Sequence, residues 1–201
     1  MTGTLHLARH LALDSQKSLA AECLALGGAA AGFYTPVVRG MHPMSVKMLC
    51  LGRHWNAVTY RYEPIRTDVD GLEVPPLPAA FADVTRAIAS AAGFTMNPDI
   101  CIVNWYRDGS RMGLHQDKDE SERSLAAGLP VVSVSLGDTA RFLFGGTKRR
   151  DAVQTISLAS GDAFVFGGPA RLCYHGVSRI LPGTAPDGTG PGRFNLTFRQ
   201  W

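Results

Sequence analysis

Asn104-Trp-Tyr-Arg-Asp-Gly-Ser-Arg-Met-Gly-Leu-His115-Gln-Asp117 reads as two short extended runs parted by a turn at Asp108-Gly109. In an extended segment residues i and i+2 point to one side, so His115 and Asp117 aim an imidazole and a carboxylate at the same place. Downstream, Tyr174-His175-Gly176 supplies a second imidazole, 175 − 117 = 58 residues beyond Asp117. That separation is too long for a local motif and predicts strands on opposite sides of a small barrel mouth. Two histidines and one carboxylate on one face of an ion leave its other positions open, the arrangement of a non-haem Fe(II) oxygenase.

The same rhythm continues outward. From Asp99 the chain reads as short strands at about 100–106, 113–116, 131–136, 140–144, 153–158, 162–167, 172–178 and 193–200, divided by Gly, Pro and Asp turns. This cadence favours a jelly-roll pair of sheets over a parallel α/β sheet. In the last run Phe194, Leu196 and Phe198 alternate with Arg193, Asn195, Thr197 and Arg199, so one face is apolar and the other carries two guanidiniums. Two such groups suit a dicarboxylate, each holding a carboxylate with two parallel hydrogen bonds, and on spacing alone either can take either end.

Towards the N-terminus, Ser15 to Leu26 has helical composition and stops at Gly27-Gly28, while Phe81, Val84 and Ile88 give Leu77 to Ala92 a helical stripe after a proline-rich lead-in. Both helices are expected outside a sheet. The segments 44–51 and 57–62 and the turn at Asp70-Gly71 suggest hairpin-like excursions rather than core strands. Pro182 to Gly192 reads as a mobile surface loop without chemistry. With 201 residues, no repeat and no composition break, a single domain spanning 1–201 is expected.

Twenty Lys and Arg against 17 Asp and Glu give a net charge of +3, compatible with nucleic acid without requiring it. Lys148-Arg149-Arg150, after Gly145-Gly146, is either a phosphate contact or a solvated hairpin tip. Cys23, Cys50, Cys101 and Cys173 form no Cys-x-x-Cys pair, which argues against a zinc ribbon or redox motif and for reduced thiols. His6, His10, His42 and His54 have no matching partners and read as structural. No signal segment or apolar run of about 18 residues is visible, so a cytoplasmic protein with no membrane contact is expected.

Asn104-x-Tyr106, His115-Gln-Asp117-Lys-Asp119-Glu120, Val132-Ser-Val-Ser-Leu-Gly137, Phe144-Gly-Gly146, Tyr174-His175-Gly176 and Arg193-x-Asn195-Leu-Thr-Phe-Arg199 together resemble the signature of the AlkB family. These are Fe(II)- and 2-oxoglutarate-dependent nucleic-acid dioxygenases, and the likeness is to the bacterial alkylation-repair type. It is dense from Asp99 to Gln200 and continues more weakly through Met44-Ser-Val-Lys-Met48, Trp55 and Tyr60. The interval from Trp55 to Tyr60 is shorter than the family's. The resemblance implies an α+β, β-rich fold: a double-stranded β-helix (jelly-roll) core at about 99–201, flanking helices, and a nucleotide-recognition lid at about 33–75.

It further implies Fe(II) on His115, Asp117 and His175, with O2 and 2-oxoglutarate as cosubstrates. Arg193, with Tyr106 and Asn104 nearby, would meet the distal carboxylate, and Arg199 with Asn195 the chelating end. A flipped, methylated base would lie between Trp55 and His115, with Asp119 accepting from its exocyclic amine and Tyr60, Met48 and Arg149 at the lid or backbone. The implied reaction is oxidative demethylation of 1-methyladenine or 3-methylcytosine in DNA, with RNA as a second substrate, releasing formaldehyde. The implied form is a monomer acting on single strands. The rival readings are a 2-oxoglutarate oxygenase acting on protein or a small molecule, and a module that recognises alkylated nucleic acid without turnover.

Overall fold

The computed structural model describes residues 2–38 and 42–201. In chain order the elements are β1 (Thr4–Leu7), α1 (Leu13–Gly27), β2 (Val37–Val38), β3 (His42–Pro43), β4 (Lys47–Leu51), β5 (His54–Asn56), β6 (Arg61–Glu63), α2 (Ala79–Ala91), β7 (Ile100–Tyr106), β8 (Met112–His115), α3 (Glu122–Ala126), β9 (Val131–Gly137), β10 (Thr139–Phe144), β11 (Gln154–Leu158), β12 (Ala163–Phe166), β13 (His175–Leu181) and β14 (Arg193–Arg199). A six-stranded sheet runs β1-β12-β9-β14-β7-β4 and a four-stranded sheet β11-β10-β13-β8, with β2–β3 and β5–β6 as separate two-stranded sheets. Every pairing is antiparallel.

Alternation decides which side chains meet. Phe194, Leu196 and Phe198 of β14 join Val132, Val134 and Leu136 of β9 and Cys101 and Val103 of β7 in a core that the helices cover. The stripe Leu19, Ala20, Cys23 of α1 and the stripe Phe81, Ile88, Ala89 of α2 fit that face, each fully buried large apolar side chain contributing roughly 1.5–3 kcal/mol. A second core between the sheets takes Tyr106, Phe164 and Phe166 from the larger sheet and Phe142, Phe144 and Val177 from the smaller. Residues of β7 and β14 that alternate with the helix-covered set, including Asn104, Tyr106, Arg193, Asn195 and Arg199, therefore point between the sheets.

Three readings of the sequence change. Lys47–Leu51 is no excursion but the edge strand β4, in register with β7 from Lys47↔Trp105 to Leu51↔Cys101. Met48 to Leu51 are all buried, and a strand buried on both faces loses the alternation that would have marked it. β1, short and half-polar, was not anticipated; it pairs with β12 and covers the opposite edge. The loop after β13, expected to be mobile, is tied down: Asp138 Oδ1 accepts from Thr184 N at 2.9 Å and Ala185 N at 3.0 Å, and Trp105 Nε1 donates to Pro191 O at 2.9 Å. Among the described residues no helix is long and apolar enough to cross a membrane.

Candidate active site

β8 and β13 are neighbours, and His115 and His175 are direct cross-strand partners with ring centroids 4.4 Å apart. The expectation of strands on opposite sides of a mouth is corrected: the chain leaves β8, builds β9 to β12, and returns beside β8. The close approach needs glycine at 176, where a Cβ would lie 2.7 Å from Met112 O. His115 Nδ1 lies 2.9 Å from Gly113 O and His175 Nδ1 lies 3.0 Å from Cys173 O. A carbonyl only accepts, so each Nδ1 carries the proton and each Nε2 keeps its lone pair.

Both Nε2 atoms face Asp117, at 3.7 Å from Oδ1 for His115 and 3.6 Å from Oδ2 for His175. One ligand atom from each of the three residues lies within 4.8 Å of the others. Burial of the ring, and then His175, push the His115 pKa down to about 4, although an edge stays open to the cleft. Burial alone would raise Asp117, but the Arg199 guanidinium above all, with the His175 ring beside it, holds its carboxyl well below the usual range. Two neutral imidazoles and one carboxylate, oriented by backbone carbonyls and aimed at one point, fit a divalent first-row metal with positions left open.

The two arginines of β14 differ. Arg199 Nη2 lies 2.6 Å from Asp117 Oδ2, its Nε lies 3.0 Å from Glu120 Oε1, and its Nη1 donates to Tyr62 Oη at 2.9 Å. Arg171 continues this network, 2.9 Å from Glu120 Oε2. Arg193 is 1% exposed and donates to Ser135 Oγ at 2.8 Å and to the carbonyls of Asp138 and Leu158 at 3.2 Å. All three acceptors are neutral, its Nε has no acceptor, and burial lowers its pKa to about 10.

Arg193 stands opposite Tyr106 and Asn195 opposite Asn104 in the β7–β14 register. Asn104 Oδ1 is buried without a donor, and the Tyr106 hydroxyl has Met112 Sδ, a weak acceptor, at 3.7 Å. Asn195 Nδ2 donates to Ser133 Oγ at 2.7 Å. A cavity of about 30 Å3 lies between Asn104, Tyr106 and Asn195 and the His115, Asp117 and His175 cluster; Arg193 is not part of its lining but is the cross-strand partner of Tyr106, which is. A buried cation that feels Asp138 and Asp162 only at a distance, an orphaned amide oxygen and a poorly served hydroxyl beside the triad fit a diacid ligand.

A larger cavity, about 550 Å3, opens on the other side of the triad and is lined by Met48, Trp55, Tyr60, Asp119 and Arg149 together with His115, Asp117 and Arg199. The structure thus gathers every residue that the sequence singled out for substrate. Trp55 Nε1 donates to Asp119 Oδ2 at 2.8 Å, and Tyr60 stands edge-on to Trp55 with centroids 5.6 Å apart. Tyr60 has φ +57°, a left-handed backbone that costs a non-glycine residue about 1–3 kcal/mol and is concentrated at functional sites. Arg149 Nη1 donates to Leu114 O at 3.0 Å, and its guanidinium lies over the Tyr174 ring.

Residues that the sequence did not single out hold this wall in place. His54, fully buried, pairs with Asp68 at 2.5 Å, and Asp68 Oδ2 accepts from Ala57 N at 2.8 Å. Asn56 Oδ1 accepts from Val58 N and Thr59 N, both at 2.9 Å, making the turn that carries Tyr60. An Asn before a turn is a legible signal; the His54–Asp68 pair has none. Tyr62 and Arg171 were missed because their partners lie far along the chain. All four cysteines are buried thiols outside any disulfide.

The sequence profile of the 2OG-Fe(II) oxygenase superfamily matches residues 3–199. An Arabidopsis thaliana protein named DNA N(6)-methyladenine demethylase ALKBH1C is 41% identical over 99% of this chain and 48% of its own length. A Caulobacter vibrioides protein named alpha-ketoglutarate-dependent dioxygenase AlkB homolog is 47% identical over 79% of this chain and 70% of its own length. The solved structure of OsALKBH1 superposes with a TM-score of 0.92 at 40% identity, covering 99% of this chain and 97% of that one. The chain spans about half the length of the Arabidopsis relatives it matches.

Proposed function

The chain belongs to the AlkB family within the 2OG-Fe(II) oxygenase superfamily, and from that premise we propose that it oxidatively removes N-alkyl groups from bases in DNA. One observation carries the reading: the ligand atoms of His115, Asp117 and His175 converge to within 4.8 Å, all three lining the smaller cavity beside Asn104, Tyr106 and Asn195, and His115 and Asp117 also lining the larger one with Trp55, Tyr60 and Asp119. When bound, Fe(II) with 2-oxoglutarate and O2 supplies the oxidation of an N-methyl carbon, which leaves as formaldehyde while the cosubstrate becomes succinate and CO2.

His115, Asp117 and His175 hold the metal. Arg193 and Tyr106 take the distal carboxylate, replacing neutral and weak partners with a charged one. Asn195 and Arg199 border the chelating end, where Arg199 acts chiefly by keeping Asp117 ionised and oriented. Met112, unbranched and flexible, shifts to admit the five-carbon diacid. In the larger cavity the flipped base stacks on Trp55 with His115 on its other side, and the Asp119 carboxylate faces the positive charge of 1-methyladenine or 3-methylcytosine. The described segments of 33–75 other than β4 form the lid.

Arg149 and its basic neighbours meet phosphates. Extruding a base costs least from a single strand, which favours single-stranded DNA, with RNA also accepted. The buried thiols, none in a disulfide, suit a reducing cytoplasm, and the three metal ligands come from one chain, as a monomer requires. The test is an anaerobic Fe(II) and 2-oxoglutarate titration followed by formaldehyde assay on oligonucleotides bearing 1-methyladenine, 3-methylcytosine or, as the names of the plant relatives prompt, N6-methyladenine. Formaldehyde from a methylated strand is expected. Cosubstrate consumption with no formaldehyde from any of them would assign the oxygenase to protein or a small molecule, and binding without consumption would make it a recognition module.

A further inference from the structure

The hydrogen-bonded ladder between β8 and β13 ends at the pair His115↔His175. Asp117 lies beyond the last residue of β8, so no strand pairing sets its position relative to His175. Two side chains take over where the ladder stops. Arg171, in the turn that leads into His175, donates from Nη1 to Asp117 O at 2.5 Å and pairs through Nη2 with Glu120 at 2.9 Å. In the opposite direction Gln116, between the two ligands of the first segment, donates from Nε2 to Leu172 O at 2.6 Å.

We propose that Arg171 and Gln116 are positioning residues that form a reciprocal clasp between the two ligand-bearing segments and so set the spacing of the metal triad. The inference rests on the metal reading of His115, Asp117 and His175. Each residue of the clasp reaches from one segment to a backbone carbonyl of the other, so a shift of either segment breaks both bonds together. Arg171 is 4% exposed and uses both prongs of its fork, one on the Asp117 backbone and one on the carboxylate that also meets Arg199. Lysine has no fork: it can keep the charge contact with Glu120 or the carbonyl contact with Asp117, not both in this geometry.

The test measures Co(II) affinity and the visible absorption of the Co(II)-loaded protein for wild type, His115→Ala, Arg171→Met, Arg171→Lys and Gln116→Leu, with the thermal midpoint of each metal-free protein. Arg171→Met is expected to weaken Co(II) by about 10- to 100-fold, the usual cost of removing a group that orients ligands, and to alter the absorption bands. Arg171→Lys should fall between, and Gln116→Leu should lose several-fold. If Arg171→Met does not fold, Arg171→Lys decides. A folded Arg171→Lys protein with wild-type affinity and spectrum would overturn the clasp, as would a lowered thermal midpoint with unchanged Co(II) binding. Equal Co(II) binding by wild type and His115→Ala would instead overturn the metal reading.

Discussion

Arg193 and Arg199 stand at opposite ends of one strand, on the same face of the same sheet and almost equally buried, yet their surroundings are opposite. Arg199 is matched from within the fold by Asp117, Glu120 and the Tyr62 hydroxyl. Among the described residues Arg193 hydrogen-bonds a hydroxyl and two carbonyls, with Asp138 and Asp162 acting on it from beyond direct contact. A buried charge needs an opposite charge. The contrast teaches that like residues repeated along a strand can serve different ends. One guanidinium is paired within the framework of the triad, and the other is the one we propose as the receptor for an anion.

Removing a ligand from the framework end should have the largest effect. His115→Ala, Asp117→Ala or His175→Ala is expected to abolish formaldehyde release, because two remaining ligands do not hold the metal in a reactive geometry. Near-normal turnover by metal-supplied Asp117→Ala would remove that residue from the site. Arg199→Ala is expected next, leaving two buried carboxylates short of a cation and destabilising the metal-free protein by about 3–5 kcal/mol in denaturant unfolding. An unfolding loss no larger than that of Arg193→Ala would erase the asymmetry between the two ends.

Arg193→Ala is expected to weaken 2-oxoglutarate by about 1.5–3 kcal/mol, the worth of hydrogen bonds to a charged group, with metal affinity unchanged and only partial rescue by lysine. Trp55→Ala should cost a methylated base roughly 1–3 kcal/mol while leaving base-independent 2-oxoglutarate turnover nearly intact. A variant that lost stability and turnover together would mark Trp55 as a packing residue. Arg149→Ala should act least, weakening all strands uniformly and lowering the salt dependence of binding by about one phosphate contact. Sequence-dependent weakening would place Arg149 against a base instead.

The two halves of the site were unequally legible. His115, Asn104, Tyr106 and the β14 residues stood out because they sit on strands whose period of two writes the site onto the sequence, and Asp117 because it follows His115 by two residues just past the end of β8; β7 and β14 run within one residue of the expected bounds. Trp55 and Asp119 could be named, but not that the indole donates to the carboxylate, since the two lie on separate segments. The His54–Asp68 pair and Arg171 left no trace, because a long-range ion pair has no period. β4 was misread for the opposite reason: burial on both faces removed the polar positions that would have shown its register. Which arginine meets which carboxylate was likewise open in the sequence, since both residues alternate identically and only the neighbours across the sheet distinguish them.

The claim that Arg193 is the anion receptor is tested most directly by comparing two ligands on two proteins. Anaerobic calorimetry on the Mn(II)-loaded protein would measure 2-oxoglutarate against 2-oxobutyrate, which keeps the keto-acid end and lacks the distal carboxylate, in wild type and in Arg193→Gln. Wild type should prefer 2-oxoglutarate by about 10- to 150-fold, the equivalent of about 1.5–3 kcal/mol, and Arg193→Gln should bind the two almost alike with its 2-oxobutyrate affinity unchanged. Retention of the full wild-type preference by a folded, metal-binding Arg193→Gln protein would contradict the account.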